Sequence, residues 1–325
     1  MTGDPTLRVL SLGGGTQSCA LALKSAAGEL PRLDAVIFAD TQGEMPETYR
    51  YLDYLSGVLD EAGIPFYRVT AGSLEEALLS EVPTSSNPTP PVHVKNPDGS
   101  KGRVGHYRCS YDYKRSLVER QIKQLCGGRG AWKRSTVEQW IGFSKDEAKR
   151  MKQSEACRCG HPRVIRKKRG QEYEQVHTAE GCSRCKCSKF DPWLINRWPL
   201  IELDYDRADT IGWFGANGHP TPPRSACWFC PNSSDDRWRD LRDNHPDLWE
   251  RACALDDANR TGGGFRPAGV TAKFAGEMYW HATLVSLRSA DLRTRTEREH
   301  DAGIFSLFDD AEIESRCDES GACFT

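Results

Sequence analysis

Over residues 7–27 the chain reads as a buried strand, three consecutive glycines and a buried helix, and few folds accommodate that order. Leu7, Val9, Leu10 and Leu12 form the strand, and Cys19, Ala20, Leu21, Ala22 and Leu23 the helix that packs on it. Gly13, Gly14 and Gly15 stand between them, where the backbone turns tightly or approaches another group closely. A glycine turn that feeds a helix N-terminus presents free N–H groups at the positive end of the helix dipole, which suits phosphate. It is also the form of an ordinary tight strand-to-helix turn. Neither common phosphate loop is present: the segment has no lysine for a P-loop, and its glycines are contiguous rather than spaced as in the dinucleotide fingerprint.

The same alternation continues downstream. Asp34 to Ala39 reads as a second buried strand ending in Asp40 and Thr41. Tyr49, Leu52, Leu55, Val58 and Leu59 make a helical stripe, and Ile64 to Val69 a third strand. Ser73 and Glu76 have capping-box spacing at the start of another helix. Thr136 to Phe143 reads as a further strand, followed by Ser144 and Glu147 at the same capping spacing. Strands alternating with helices predict an α/β fold with a doubly wound parallel sheet. An acid at the C-terminal end of such a strand, as Asp40 is, faces the crevice where these sheets bind ligands, or caps the next turn.

Size and charge narrow the classes. The 325 residues suit one large or two modest domains, and 38% apolar with 9% aromatic content can fill a core. No apolar stretch reaches membrane-spanning length and the N-terminus lacks the regions of a signal peptide, so the expectation is a cytoplasmic protein with no membrane partner. A net charge of −2 gives no case for nucleic acid from bulk charge. Thirteen cysteines in a reducing compartment point to metal or redox chemistry rather than disulfides.

Residues 83–107, with Pro83, Pro88, Pro90, Pro91 and Pro97, read as a long loop whose basic groups cover an anionic substrate or simply face solvent. Next comes Arg108-Cys109-Ser110-Tyr111-Asp112-Tyr113-Lys114-Arg115. Ser110 reads as an N-cap, which puts Cys109 at a helix start, where a thiol is suited to be a ligand or nucleophile; a buried structural cysteine is the alternative.

Residues 156–190 differ in kind. Cys157, Cys159 and His161 are followed by His177 and then Cys182, Cys185 and Cys187, two knuckles suited to a tetrahedral zinc site. Five cysteines exceed the four positions, so the ligand set stays open. The basic run Arg163-Val164-Ile165-Arg166-Lys167-Lys168-Arg169 between the knuckles is a candidate contact for a nucleic-acid substrate, or a solvated hairpin tip. Later, Cys227-Trp228-Phe229-Cys230 forms a C-x2-C knuckle, and Cys317 and Cys323 lie on the terminal segment. The knuckle's spacing suits a metal site, zinc among the candidates, or a reducible dithiol. Lys273 to Leu287 reads as a last helix.

Taken together, Gly14, Gly15 and Ser18 resemble the S-G-G-x-D-S loop of the ATP-pyrophosphatase (PP-loop) and phosphoadenosine-phosphosulfate (PAPS) reductase superfamily, with Gly13 and Gln17 as departures. The block Phe38-Ala39-Asp40-Thr41 through Tyr49 is similar to that superfamily's F-A-D-T-G-x-E-x-P-E-T-Y. Ile141 to Met151 resembles its I-G-x-x-x-D-E-x-x-R-M, Arg108 to Arg115 the cysteine-bearing segment of PAPS-reductase-like and DNA-phosphorothioation proteins, the late C-x2-C that of cluster-bearing sulfonucleotide reductases, and Trp238 to Glu250 the extension of phage-type and actinobacterial members. The cysteine-rich segment resembles a zinc ribbon.

The resemblance implies residues 1–155 and 191–232 as a discontinuous nucleotide-binding domain, 156–190 as an inserted zinc ribbon, and 233–325 as a helical extension with a flexible cysteine-bearing tail. It implies a site for ATP or PAPS with magnesium built from Ser11, Gly13, Gly14, Gly15, Thr16, Gln17, Ser18, Asp40, Thr41, Lys114, Arg115, Asp146 and Glu147. Cys109, Cys317, Cys323 and Asp40 are then the catalytic candidates, with a [4Fe–4S] cluster on Cys109, Cys227 and Cys230, and zinc among Cys157, Cys159, Cys182, Cys185 and Cys187. The implied activity is an ATP-dependent sulfurtransferase that adenylates its substrate, releases pyrophosphate and delivers sulfur from a cluster or a cysteine persulfide. One alternative is a sulfonucleotide reductase using a C-terminal cysteine; the other is a non-catalytic nucleotide- or nucleic-acid-binding subunit, as in phage defence. A cysteine desulfurase as sulfur donor, a thioredoxin and a second copy of the chain in a homodimer are the implied protein partners.

Overall fold

The computed structural model of the protein describes residues 6–80, 88–104, 108–153, 157–159, 164–166, 173–175, 177–178, 181–183, 192–260, 276–294 and 296–298. The chain begins β1 (Leu7–Leu12), α1 (Thr16–Ala26), β2 (Ala35–Asp40), α2 (Pro46–Glu61), β3 (Phe66–Thr70) and α3 (Leu74–Leu79). It continues with β4 (His93–Lys95), β5 (Lys101–Arg103), α4 (Ser116–Leu125), β6 (Val137–Ile141), β7 (Val164–Arg166), β8 (Tyr173–Gln175), β9 (His177–Thr178) and β10 (Gly181–Cys182). It closes with β11 (Leu194–Arg197), α5 (Pro199–Glu202), α6 (Arg207–Ala216), α7 (Asp235–Asn244), α8 (Pro246–Ala258) and β12 (Glu277–Tyr279). No helix among the described residues is long and apolar enough to cross a membrane.

The chain divides into two compact units, each discontinuous. The first comprises residues 1–39, 46–69 and 117–225, the second residues 40–45, 70–116 and 226–325. In the second unit Leu74, Leu78, Val92 and Tyr113 share a hydrophobic cluster with Trp228, Trp238, Trp249 and Trp280.

The first unit is the α/β sheet. Its five strands run in the order β11-β6-β1-β2-β3, and the pairings of β1 with β2, β1 with β6 and β6 with β11 are parallel. Alternate residues of each strand serve opposite faces. Leu10, Leu12, Val36 and Phe38 pack against α1, α2 and α6 through Leu21, Leu23, Leu52, Leu55 and Phe214. Val9, Ala35, Ile37 and Ala39 pack against Leu117, Val118 and Ile122 of α4. Both faces being covered explains why every residue of β2 is buried and why the strand reads as a continuous apolar run. Between β6 and β11 lie two short antiparallel pairs, β7–β8 and β9–β10. Cys157 and Pro192 form an isolated antiparallel bridge.

The second unit packs α3, α7 and α8 with a three-stranded antiparallel sheet in the order β12-β4-β5. That sheet corrects two expectations. The proline-rich stretch is not one long loop, since β4 and β5 make a hairpin inside it with His93 opposite Arg103. Residues 277–279 are not helical, because they pair with β4 through Met278 opposite Val94. Three-residue strands carry no readable periodicity, and the pairing joins segments far apart in the chain.

Two helix starts also differ from expectation. Ser110 is not an N-cap: its backbone is already helical and the Asp112 N–H donates to the Arg108 carbonyl at 2.8 Å. A π-helical turn over Tyr111–Arg115 follows, closed by the Ser116 N–H on the Tyr111 carbonyl, and runs straight into α4. After Ser144 comes a 3-10 turn over Lys145–Arg150 rather than an α-helix, and the Ser144 hydroxyl makes no cap bond.

Candidate functional site

In the first unit the glycine loop joins the end of β1 to α1. Sheet order turns here: β2 and β3 lie on one side of β1, β6 and β11 on the other. In doubly wound sheets that switch point is where ligands bind. Gly15 is the N-cap of α1 and has no side chain to satisfy the first amides, and the first turn carries no acidic residue. By contrast, α2, α3 and α7 all open with acids. The N-terminus of α1 is thus left open to an external anion. A Cβ at Gly15 would meet nothing within 4 Å.

The loop is held from three sides. The Gly13 N–H donates to Ser18 Oγ at 3.1 Å, and that hydroxyl donates to the Gly15 carbonyl at 3.2 Å. The Ser225 hydroxyl donates to the Gly13 carbonyl at 2.6 Å. Gly14 has φ +83°, and a Cβ there would stand 3.0 Å from Ser225 Oγ. Gly142, just past β6, packs against the first turn of α1 so closely that a Cβ would lie 2.6 Å from the Ser18 nitrogen and 2.7 Å from its Cα. Neither Gly142 nor Ser225 stands out in the sequence as a brace of this loop; the signal for Gly142 is its place immediately after a strand that neighbours β1.

The other first-unit candidates are engaged within the protein. Ser11 lies in β1, opposite Ile37 and Ile141, and Thr16 is buried at the start of α1. Gln17 Nε2 donates to Glu147 Oε2 at 3.2 Å, and Glu147 also ion-pairs with Arg150. Arg150 sits over the Phe143 ring at 4.4 Å. Asp146 Oδ2 accepts the Arg207 N–H at 2.8 Å, at the start of α6.

In the second unit the segment from Asp40 to Glu44 meets the C-x2-C. Buried Asp40 accepts the Gln42 N–H at 2.7 Å, so it caps the turn after β2. Thr41 Oγ1 and Cys227 Sγ are 3.2 Å apart. The Trp228 N–H donates to the Gly43 carbonyl at 2.8 Å, and a Cβ at Gly43 would stand 2.6 Å from the Phe229 ring. The Cys230 N–H closes on the Cys227 carbonyl at 3.0 Å, folding the knuckle into a turn. Trp280 Nε1 donates to the Phe229 carbonyl at 2.7 Å and fixes the turn from behind. Glu44, its side chain fully buried, accepts from Lys114 Nζ at 3.5 Å. Arg115 is exposed, with its guanidinium 5.8 Å from the Tyr111 ring.

Cys109 and Cys227 both pack half-buried against this unit's hydrophobic cluster. Among the described residues no group of three or more His, Cys, Asp or Glu stands together as a metal cage. Of the ribbon cysteines, Cys157 and Cys182 are buried and Cys159 is half-buried. Cys185, Cys187, Arg163, Lys167, Lys168, Arg169, Cys317 and Cys323 lie outside the described residues.

No family model matches the chain, and no curated protein matches it. Among solved structures, a phosphoadenylyl-sulfate (PAPS) reductase from Candida auris, determined as a phosphate complex, is 14% identical, with 69% of this chain and 82% of that one covered and a TM-score of 0.36. A likeness this distant says nothing of the chemistry.

Proposed function

We propose that the chain is a nucleotide-dependent enzyme of sulfur transfer, in which the Gly13–Ser18 loop holds the phosphates of an adenine nucleotide. One observation carries the reading: a glycine loop at the switch point of a doubly wound sheet, braced by Gly142 and Ser225, opens a helix whose first turn has neither a cap side chain nor an acid. Backbone N–H groups and the helix dipole then favour a phosphate there.

With ATP, an acceptor oxygen attacks the α-phosphorus and pyrophosphate leaves, which turns that oxygen into a good leaving group. A cysteine persulfide, charged by a desulfurase-type donor, attacks the activated acceptor. AMP departs, and a second thiol releases the sulfur to the acceptor as the two cysteines close a disulfide. The Cys227–Cys230 turn, with Thr41 beside Cys227, supports a thiol pair for that work. The steps written here use thiols alone; Cys109, Cys227 and Cys230 would be the thiolates of an iron–sulfur cluster if one is bound. In the ribbon, zinc would be held by cysteines of the two knuckles and would supply folding energy rather than catalysis.

A second reading uses the same nucleotide loop for reduction of a sulfonucleotide: Cys323 attacks the sulfate sulfur of PAPS, the nucleotide leaves, and a thioredoxin-type dithiol releases sulfite from the S-sulfocysteine. Pyrophosphate release from ATP and sulfite release from PAPS, measured on wild type and Gly142→Ala, separate the two. Pyrophosphate lost in the variant supports sulfur transfer, and sulfite alone supports reduction. ATP binding with neither product leaves a nucleotide-binding subunit, a reading that the replacement of an acid by Gln17 in the loop supports.

A further inference from the structure

A second charged feature lies in the first unit, away from the glycine loop in sequence. Residues 120–137 contain Arg120, Lys123, Arg129, Lys133 and Arg134 and no acid, in a chain whose net charge is −2. The turn after α4 places Gly127, Gly128, Arg129 and Gly130 all at positive φ, Arg129 at 34°. The Gly127 and Gly128 amides already close the helix end on the Gln124 and Lys123 carbonyls, at 2.9 and 3.0 Å. A left-handed arginine is therefore not needed to stop the helix, yet it is held in that costly conformation with its side chain exposed.

The rest of the loop is braced. The Ala131 and Lys133 amides donate to the Gly128 and Gly130 carbonyls at 2.7 and 3.1 Å. The Trp132 ring packs on Trp193 at 4.9 Å and carries two ammonium groups, Lys123 at 4.9 Å and Lys133 at 5.6 Å. Arg158, between the first two ribbon cysteines, donates to the Lys133 and Ser135 carbonyls and to Thr136 Oγ1, so the ribbon is seated on this loop. Glu119 pairs with Lys123 at 2.6 Å, whereas Arg129, Lys133 and Arg134 are exposed.

We propose that this loop, with Arg129, Lys133 and Arg134 as its contacts, binds the phosphate backbone of nucleic acid. Like charges held within about a Debye length of one another reinforce attraction for a polyanion. A protein partner would instead need apolar or aromatic anchors to bury, and none of the exposed large hydrophobic residues lies between 120 and 136. Interactions of this kind position a strand and carry no sequence information. The inference needs neither nucleotide nor turnover, so it outlives a failure of the sulfur-transfer reading.

Fluorescence anisotropy with a labelled DNA duplex and a labelled RNA hairpin, over about 50 to 200 mM salt, tests it. Wild type is expected to bind at low salt, and the triple variant Arg129→Ala, Lys133→Ala, Arg134→Ala to bind at least about tenfold more weakly, its salt slope reduced by about 0.9 for each phosphate no longer neutralised. Arg129→Gly should weaken binding without lowering the melting temperature, since it keeps the turn and removes the charge. A control variant, Lys95→Ala with Lys101→Ala on the β4–β5 hairpin, should bind as wild type. The proposal is overturned if wild type binds neither probe, if the triple variant binds unchanged while melting like wild type, or if polyglutamate of equal charge competes as well as nucleic acid, which would mark an acidic protein partner.

Discussion

A methyl group at Gly142 would stand 2.6 Å from a backbone nitrogen, and backbone has nowhere to retreat inside a packed sheet. Gly142→Ala should cost about 1–3 kcal/mol of stability and weaken ATP binding more than an equally destabilising change elsewhere; calorimetry and a binding titration check both. Asp256 is a different kind of keystone. Its buried carboxylate accepts the Trp280 and Leu287 amides at 2.9 and 2.8 Å and pairs with Arg260 at 2.6 Å. Asp256→Ala leaves those donors unanswered, and a loss of about 3–5 kcal/mol by denaturant titration is expected. Asp235 governs an acid-side effect. The bond from His281 Nε2, then the charges of His281 and Arg298, hold its carboxyl below the usual carboxylate range. A depressed folded-state value adds stability above a pH of about 4 and loses it as pH falls through the lower value. Melting curves of wild type and Asp235→Asn should therefore differ at neutral pH and converge as the pH falls through the acid range below about 4. Burial pushes the Cys253 thiol up to about 12 and raises Cys19 as well, so iodoacetamide at a pH of about 8 should spare both in the native protein while reaching half-buried Cys227 and Cys230.

At the scale of elements, what could be read from the sequence follows how local the cause is. β1, α1, β2 and α2 were legible because strands buried on both faces and an amphipathic helix each leave a pattern within a few residues. The start of α3 was legible too, and the Ser73 hydroxyl does accept the Glu76 N–H at 3.1 Å; Ser73→Ala is expected to cost about 1 kcal/mol in thermal unfolding. The β12-β4-β5 sheet was not legible, since three-residue strands gain their order only from pairing partners, and those of β12 lie far back in the chain. The loop's glycines could be read as a candidate site, but its braces could not: Ser225 and Gly142 lie far from Gly14 in sequence, and only the fold brings them to it. The π-turn at Tyr111–Arg115 likewise has no composition signal, and it turns an expected cap at Ser110 into helix interior.

For the molecule as a whole, Cys157 is bridged to Pro192 across the segment between β6 and β11, and Cys182 within it is buried. If zinc holds that insertion, Cys182→Ala should abolish bound zinc, measured by atomic emission on protein purified without oxygen, and lower the melting temperature. The two compact units are built otherwise. The backbone passes from one to the other after residues 39, 45, 69, 116 and 225. Neither unit corresponds to a continuous stretch of gene, so recombination cannot shuffle one away from the other, and a ribosome must have released most of the chain before either can finish folding. By contrast, the Cys157–Pro192 bridge brings the two ends of the segment between those residues together, so that segment is one that evolution could graft or discard without re-threading the rest.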